Sequence, residues 1–150
     1  MTVTTATAAN VDLCITAQRE LFGAGRMELA DELIGPDCLD HGAESGPRVA
    51  GREAGAPRGP EGIKGVVGWL RSAFPDLVYE IEDAFGSGDR VAIRCTARGT
   101  HRGEFLGHPP TGRGFAVQQI HLFRVSDGQI AEHWAARDDV GMMHQLGLAG

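Results

Sequence analysis

Gln119 and His121 stand two residues apart in the stretch 116–125 (AVQQIHLFRV), and His133 stands in the stretch that follows, 129–138 (QIAEHWAARD). Alternation at period 2 puts Gln119 and His121 on one face between Val117 and Phe123, and puts His133 beside Ala135 on one face of the next strand. Imidazoles and an amide among apolar neighbours are costly to bury unless something pairs with them. The row therefore predicts a pocket wall. A histidine, with an ordinary pKa of about 6.5, can give or take a proton at neutral pH. A glutamine amide can donate to a developing enolate or alkoxide oxygen. Proton transfer on a flat apolar substrate fits such a wall. Hydride and phosphoryl transfer do not, because the chain has neither G-x-G-x-x-G nor a P-loop.

Further candidates extend the wall. In the strand before, Val91, Ile93, Cys95, Ala97, Gly99 and His101 share a face, while Arg94, Thr96, Arg98 and Thr100 share the other. The apolar face is expected to be concave, so His101 is expected to point toward the pocket near its mouth and joins the catalytic candidates. Asp40 and His41 precede a long loop and are expected at the entrance. Trp69, Phe105 and Phe123 are the aromatic candidates for substrate contact, with Ala135 beside them. Each has a bland alternative: an inward histidine is commonly a satisfied core residue, and His133 beside Trp134 could be packing. No H-x-H or H-x-x-x-H spacing supports zinc. No metal is expected.

The elements that must position these residues follow from periodicity. Residues 1–9 are Thr/Ala-rich and are expected to fray. A helix is predicted over 10–22, capped by Asn10 and ended by Gly23 and Gly25, and a second over 27–34, stopped by Pro36. Residues 42–59 are Gly-, Pro- and Arg-rich without periodicity, and a loop this long in a compact domain is usually a lid, a binding loop or disorder. Pro60 opens the clearest helix, whose stripe is Ile63, Val66, Val67, Leu70, Ala73 and Phe74. The period then changes to 2, predicting strands over 77–85, 90–101, 114–125 and 129–138 with short turns, an antiparallel meander. A helix over 140–146, capped by Asp138-Asp139, closes the chain. Helices followed by strands read as an α+β fold, a cone in which helices cover a curved sheet around an apolar pocket.

At 150 residues the chain is expected to be one domain with a real core. With 42% apolar and 23% charged residues its composition is that of a soluble globular protein. A net charge of −6 without a basic stripe argues against nucleic acid as a partner. No apolar run is long enough to span a bilayer, so no membrane partner is expected. Cys14, Cys38 and Cys95 are odd in number and widely spaced, which reads as reduced thiols in a cytoplasmic protein.

The segments PEGIKG at 60–65, AFPDL at 73–77, GSGDRV at 86–91, TARGTHRGEFLGHPPT at 96–111, FRVSDGQIAEH at 123–133 and the closing HQLG resemble, in their order and spacing, the SnoaL-like polyketide cyclases of the nuclear transport factor 2-like superfamily. The resemblance runs from Val11 to Gly147. It implies a cone-shaped α+β barrel that self-associates as a homodimer or homotetramer, works without a cofactor, and takes a hydrophobic small molecule, a polyketide. The cyclases close a ring by intramolecular aldol condensation, with a Gln-x-His pair on one strand and a His-x-Asp pair on the next, the aspartate being the general acid/base. Gln119-Ile120-His121 matches the first pair, but the second is His133-Trp134-Ala135.

Alanine cannot carry a proton, so another residue must take over, and His121, His133, His101 and Asp40 are available. The departure keeps a cofactor-independent hydroxylase of anthracycline-like substrates, or an epoxide-opening ether cyclase, beside the aldol cyclase. A non-catalytic module that holds a hydrophobic ligand or dimerises is the reading from another class. A double-bond isomerase resembling ketosteroid isomerase ranks below these, because it needs a carboxylate base and usually an inward tyrosine; the single tyrosine, Tyr79, lies in the first predicted strand.

Overall fold

The computed structural model of the chain describes residues 5–41 and 58–148. Residues 1–4 and most of the expected loop 42–59 lie outside the described residues. The order of elements is α1 (Thr5–Thr16) with a π-helical continuation (Ala17–Gly23), a 3-10 turn (Met27–Leu29), α2 (Ala30–Leu33), β1 (Ile34–Asp40), α3 (Gly59–Ala73), β2 (Val78–Ser87), β3 (Arg90–Thr100), β4 (Gly114–Ser126), β5 (Gln129–Arg137) and α4 (Asp139–Leu146). The four long strands form the expected antiparallel meander, extended at one edge to a five-stranded sheet in the order β1-β5-β4-β3-β2.

Local chemistry accounts for the junctions. Asp127 and Gly128 both take positive φ, 52° and 72°, which suits the two-residue hairpin between β4 and β5 to the right-handed twist of its strands. Pro60 sits in the first turn of α3, where its missing N–H costs nothing. Ile63, Val67 and Ala73 form the buried stripe of that helix. At its far end Arg71 donates to the carbonyls of Gly23 and Pro75, both at 2.6 Å, tying α3 to the end of the π turn. The Asp138 carboxylate accepts from the Gly141 N–H at 2.8 Å and caps α4 as expected.

Three expectations need correction. The first helix begins at Thr5, so residues 5–9 are ordered helix and Asn10 is not its cap. Those early turns have a surface to lie on: Thr7 is buried, its hydroxyl donates to the Gly88 carbonyl at 3.4 Å, and Gly86 leaves room beneath Thr7 and Val11. The helix expected over 27–34 is a 3-10 turn and one turn of α2, because Ile34 already begins an extended strand. β1 was not legible from alternation. It carries Gly35 and Pro36, and it pairs in parallel with β5 at the edge of the sheet, where a strand tolerates a proline.

The third correction concerns parity within β5. Strict alternation would turn Ile130 away from His133, yet both are buried. The register explains it. Arg124 pairs with Glu132 and Val125 with Ile130, leaving Ala131 as an extra residue, and this bulge resets the alternation so that both side chains face inward.

The core lies between the inner sheet face and α1 and α3, and is built on Leu21, Ile63, Phe74, Ile93, Phe123 and Ile130. The outer face carries cross-strand pairs such as Arg94–Asp83 and Arg98–Glu80, each 2.7 Å apart. The connection after β3 docks on the end of α3, where the Arg102 and Gly103 N–H groups both donate to the Ala73 carbonyl, at 3.0 and 3.1 Å. A Cβ at Gly103 would overlap the Ser72 carbonyl oxygen. Gly103→Ala is therefore expected to destabilise the fold by about 1–3 kcal/mol, as overpacking does, measured by urea denaturation.

Candidate active site

A cleft opens between the concave face of the sheet and helices α1 and α3. Its empty space, counted out to the mouth and including open solvent, is about 840 Å3. Most of its lining is apolar, with Trp69, Phe74, Tyr79, Phe105 and Phe115 supplying aromatic surface. Trp69 and Phe105 lie 5.2 Å apart with their planes tilted by 34°, and Phe74 meets Phe105 edge-on at 5.0 Å.

One side of this cleft is polar and continuous. Gln119 and His121 face inward from β4, and His133 faces inward from β5. Asp40, the last residue of β1, lies beside His133 in the parallel ladder. The His121 Nε2 is 2.7 Å from Gln119 Oε1. Its Nδ1 is 2.9 Å from His133 Nε2. The His133 Nδ1 is 2.8 Å from Asp40 Oδ1. Carboxylate, imidazole, imidazole and amide thus form one chain of hydrogen bonds along the wall.

The two imidazoles lie nearly coplanar and edge to edge, with centroids 5.1 Å and planes 11° apart. Phe123 stacks on His133 at 4.9 Å from beneath, and Phe22 at 5.5 Å from α1's continuation. Tyr79 meets His121 edge-on at 5.9 Å. This apolar casing decides the charge of the inner imidazole. Burial, first of all, pushes the His121 pKa well below its ordinary 6.5, and the nearby His133 and Arg137 push the same way against Asp40. His121 is a neutral imidazole at neutral pH.

Donor counting then restricts the protons. With Gln119 Oε1 facing His121, the Nε2 of His121 must donate, so its Nδ1 accepts from His133 Nε2. That leaves one further proton to be shared between His133 Nδ1 and Asp40 Oδ1. With the Gln119 amide turned over, the Gln119–His121 and His121–His133 bonds reverse, His133 Nδ1 donates to Asp40, and the chain is satisfied with two neutral imidazoles and an Asp40 carboxylate. The two arrangements differ by one proton, held at the Asp40 end, and by the face that Gln119 shows to the cleft.

Other expected site residues fall elsewhere. Trp69 and Phe105 line the cleft, as does Asp40. His101 does not: it is fully buried, and its Nδ1 accepts from the Thr111 N–H at 3.2 Å, which leaves Nε2–H among the rings of Phe74 and Phe105. Alternation placed it on the inner face correctly, but the strand ends at Thr100 and the turn back at Thr111 closes over it. His41 points away from the entrance, pairing with Glu132 at 2.9 Å and stacking on Trp134 at 5.1 Å, because neighbouring residues of an extended chain face opposite ways. Phe123 supports His133 from below without lining the cleft, and Ala135, which pairs with His121 across the ladder, does not line it either.

Four polar lining residues were missed by the sequence reasoning. Gln18 lies on the buried side of α1's continuation, four residues after Cys14 and four before Phe22, so a polar residue on an apolar stripe was the signal. Tyr79 is the inward residue of β2. Arg137 and Asp139 continue the inward alternation of β5 past Ala135, with Arg137 Nε 3.6 Å from Asp139 Oδ1. Burial raises the Asp139 pKa, opposed by Arg137 and aided by Asp138. Among the described residues no three His, Cys, Asp or Glu side chains converge as a metal site requires.

A small α+β fold that encloses an apolar cleft with a proton-carrying wall is a scaffold for acid–base chemistry on a hydrophobic molecule. The chain belongs to the SnoaL-like polyketide cyclase family, whose model matches residues 12–146. It is 35% identical over 130 residues to the nogalonic acid methyl ester cyclase of Streptomyces nogalater, covering 84% of this chain and 89% of that one. It is 34% identical over 130 residues to the aklanonic acid methyl ester cyclase DnrD of Streptomyces peucetius, covering 85% and 84%. Among solved structures, IdmH from Streptomyces antibioticus, classed as a polyketide cyclase, superposes with a TM-score of 0.76 at 42% identity, over 92% of this chain and 98% of that one.

The depressed His121 pKa has a consequence for stability. Between its folded value and 6.5 the unfolded chain binds the extra proton, so the contribution of this residue is intact above 6.5 and is lost as the pH falls below it. Urea denaturation at a series of pH values is expected to show that loss. In His121→Phe the slope below 6.5 should flatten, with stability at pH 7.5 lowered by about 1–3 kcal/mol because His133 Nε2 loses its partner.

Proposed function

We propose that this protein closes a ring within a flat, largely apolar polyketide by intramolecular aldol condensation, with Asp40 as the acid/base group. The chain from Asp40 through His133 and His121 to Gln119 carries this reading. Ala135 stands where the family pattern has its aspartate, and Asp40 brings a carboxylate to the same wall from the neighbouring strand. The Asp40 carboxylate removes an acidic C–H proton, and the electron pair becomes an enolate. The enolate carbon forms the new C–C bond to a carbonyl carbon of the same molecule. The alkoxide so made takes the proton back from the Asp40–His133 pair, so no net proton is consumed.

Gaining that proton is the change that lets Gln119 turn its Oε1 to His121, which leaves its Nε2 to donate to the enolate oxygen. Arg137 adds a positive charge to the same cleft. The relatives named for nogalonic and aklanonic acid methyl esters support a substrate of that kind, an aromatic polyketide of anthracycline type.

Asp40→Asn is expected to lower kcat by about 10²–10⁴, the usual contribution of a positioned acid/base, while the fold survives in circular dichroism. Retention of activity within about threefold would remove Asp40 from this role. Ring closure leaves the product with the substrate's mass. A product heavier by one oxygen atom would support hydroxylation instead, and a ligand recovered unchanged would support the binding module.

The three buried cysteines are unpaired, and burial raises each thiol to about 12, which suits a reducing cytoplasm. Among the described residues no helix is long and apolar enough to cross a membrane. Ile120 and Leu122 are exposed on the outer face of β4 and support self-association through the sheet. Light scattering after size exclusion checks this: an oligomer is expected for the wild type and a monomer for Ile120→Arg.

A further inference from the structure

Gln18 is fully buried, and neither its Oε1 nor its Nε2 has a hydrogen-bond partner among the described residues. Leaving both ends of an amide unpaired in an apolar surrounding costs stability, and folded proteins rarely tolerate it without a use. The side chain lines the cleft. It is carried by the π-helical stretch Ala17–Gly23, an irregularity that is uncommon inside helices and frequent at functional sites. Phe22, on the same stretch, lies against His133, so this segment and the acid/base chain border one space.

Resting on the cleft's reading as a polyketide site, we propose that Gln18 is a substrate-positioning residue that holds a hydroxy-carbonyl edge of the substrate. Its Nε2–H donates to the carbonyl oxygen and its Oε1 accepts from the neighbouring hydroxyl or enol. An amide presents one donor and one acceptor side by side, and this edge is their complement. Held there, the substrate has its polar edge fixed from α1 while the opposite wall carries the proton transfer. A site built to bond a hydroxyl discriminates against the analogue that lacks it, because its own polar atoms are then left unpaired.

Gln18→Met keeps the length and removes both polar atoms, and it separates this role from a structural one. If Gln18 has no partner in the free protein, the variant melts above the wild type, by about 2–4 °C for relief of an unpaired buried amide. Binding is measured by calorimetry with two probes, an anthraquinone whose two hydroxyls flank a carbonyl, and its dimethyl ether. The wild type is expected to favour the dihydroxy probe about tenfold or more, and Gln18→Met to bind both alike. On the enzyme's own substrate the variant should raise KM with kcat less affected, since the acid/base chain is untouched.

A lower melting temperature in Gln18→Met would overturn the proposal by revealing a structural partner. Equal preference for the dihydroxy probe in wild type and variant would overturn it while leaving the polyketide reading in place. Failure of the wild type to bind either probe would overturn both. Activity lost in Asp40→Asn together with a probe preference unchanged in Gln18→Met would sink the role of Gln18 alone.

Discussion

The 2.8 Å contact between His133 and Asp40 is the constraint around which the site is organised. An imidazole packed between Phe22 and Phe123 cannot be left with a bare polar atom, and a carboxylate at the edge of an apolar cleft needs a donor. Each supplies what the other requires. The contact exists because β1 pairs in parallel with β5, and because the bulge at Ala131 turns His133 inward after Ile130 has already faced the core. Remove either feature and the carboxylate and the imidazole no longer meet.

The hydrogen-bond chain is not there to hold the fold together. Its bonds are worth roughly 1.5–3 kcal/mol each where a charged group takes part, and taking charged partners out of water costs several kcal/mol per ion. The apolar casing of Leu21, Ile63, Phe74, Ile93 and Ile130 does the stabilising. What the chain gains from burial is chemical. In the proposed reaction a neutral His121 couples Gln119 to the proton at Asp40, so that the group taking the proton and the group steadying the resulting charge answer to the same event. The role proposed for Gln18 follows the same logic, since a buried amide with no partner among the described residues makes sense beside a ligand that supplies one.

The legible parts of the molecule were those decided by neighbours in sequence. Alternation placed Val91 through His101, and Gln119 with His121, on the inner face, and the Ser126-Asp127-Gly128 turn fixed the β4–β5 hairpin. The long stripe of α3 and the cap at Asp138 were equally plain. β1 was not, because Gly35 and Pro36 interrupt its pattern and its partner lies more than ninety positions away. His41 was misplaced because near the end of a strand one residue decides which side a chain leaves by, and His101, though on the inner face, is closed off by the returning chain at Thr111.

The family was also in the sequence, through motifs whose order and spacing survive along nearly the whole chain, and so was the anomaly at Ala135. A missing side chain is visible in a string of letters because it concerns one position. The proposed replacement is not, because Asp40 lies far away in the chain and reaches the wall only through a parallel pairing and a bulge that no local pattern announces. The sequence alone determined the four strands of the meander, the long helix α3 and the presence of imidazoles on an apolar face. Only the tertiary structure decided which carboxylate they meet, since the bonds of His133 to His121 and Asp40, at 2.9 and 2.8 Å, depend on register between strands and not on spacing along one.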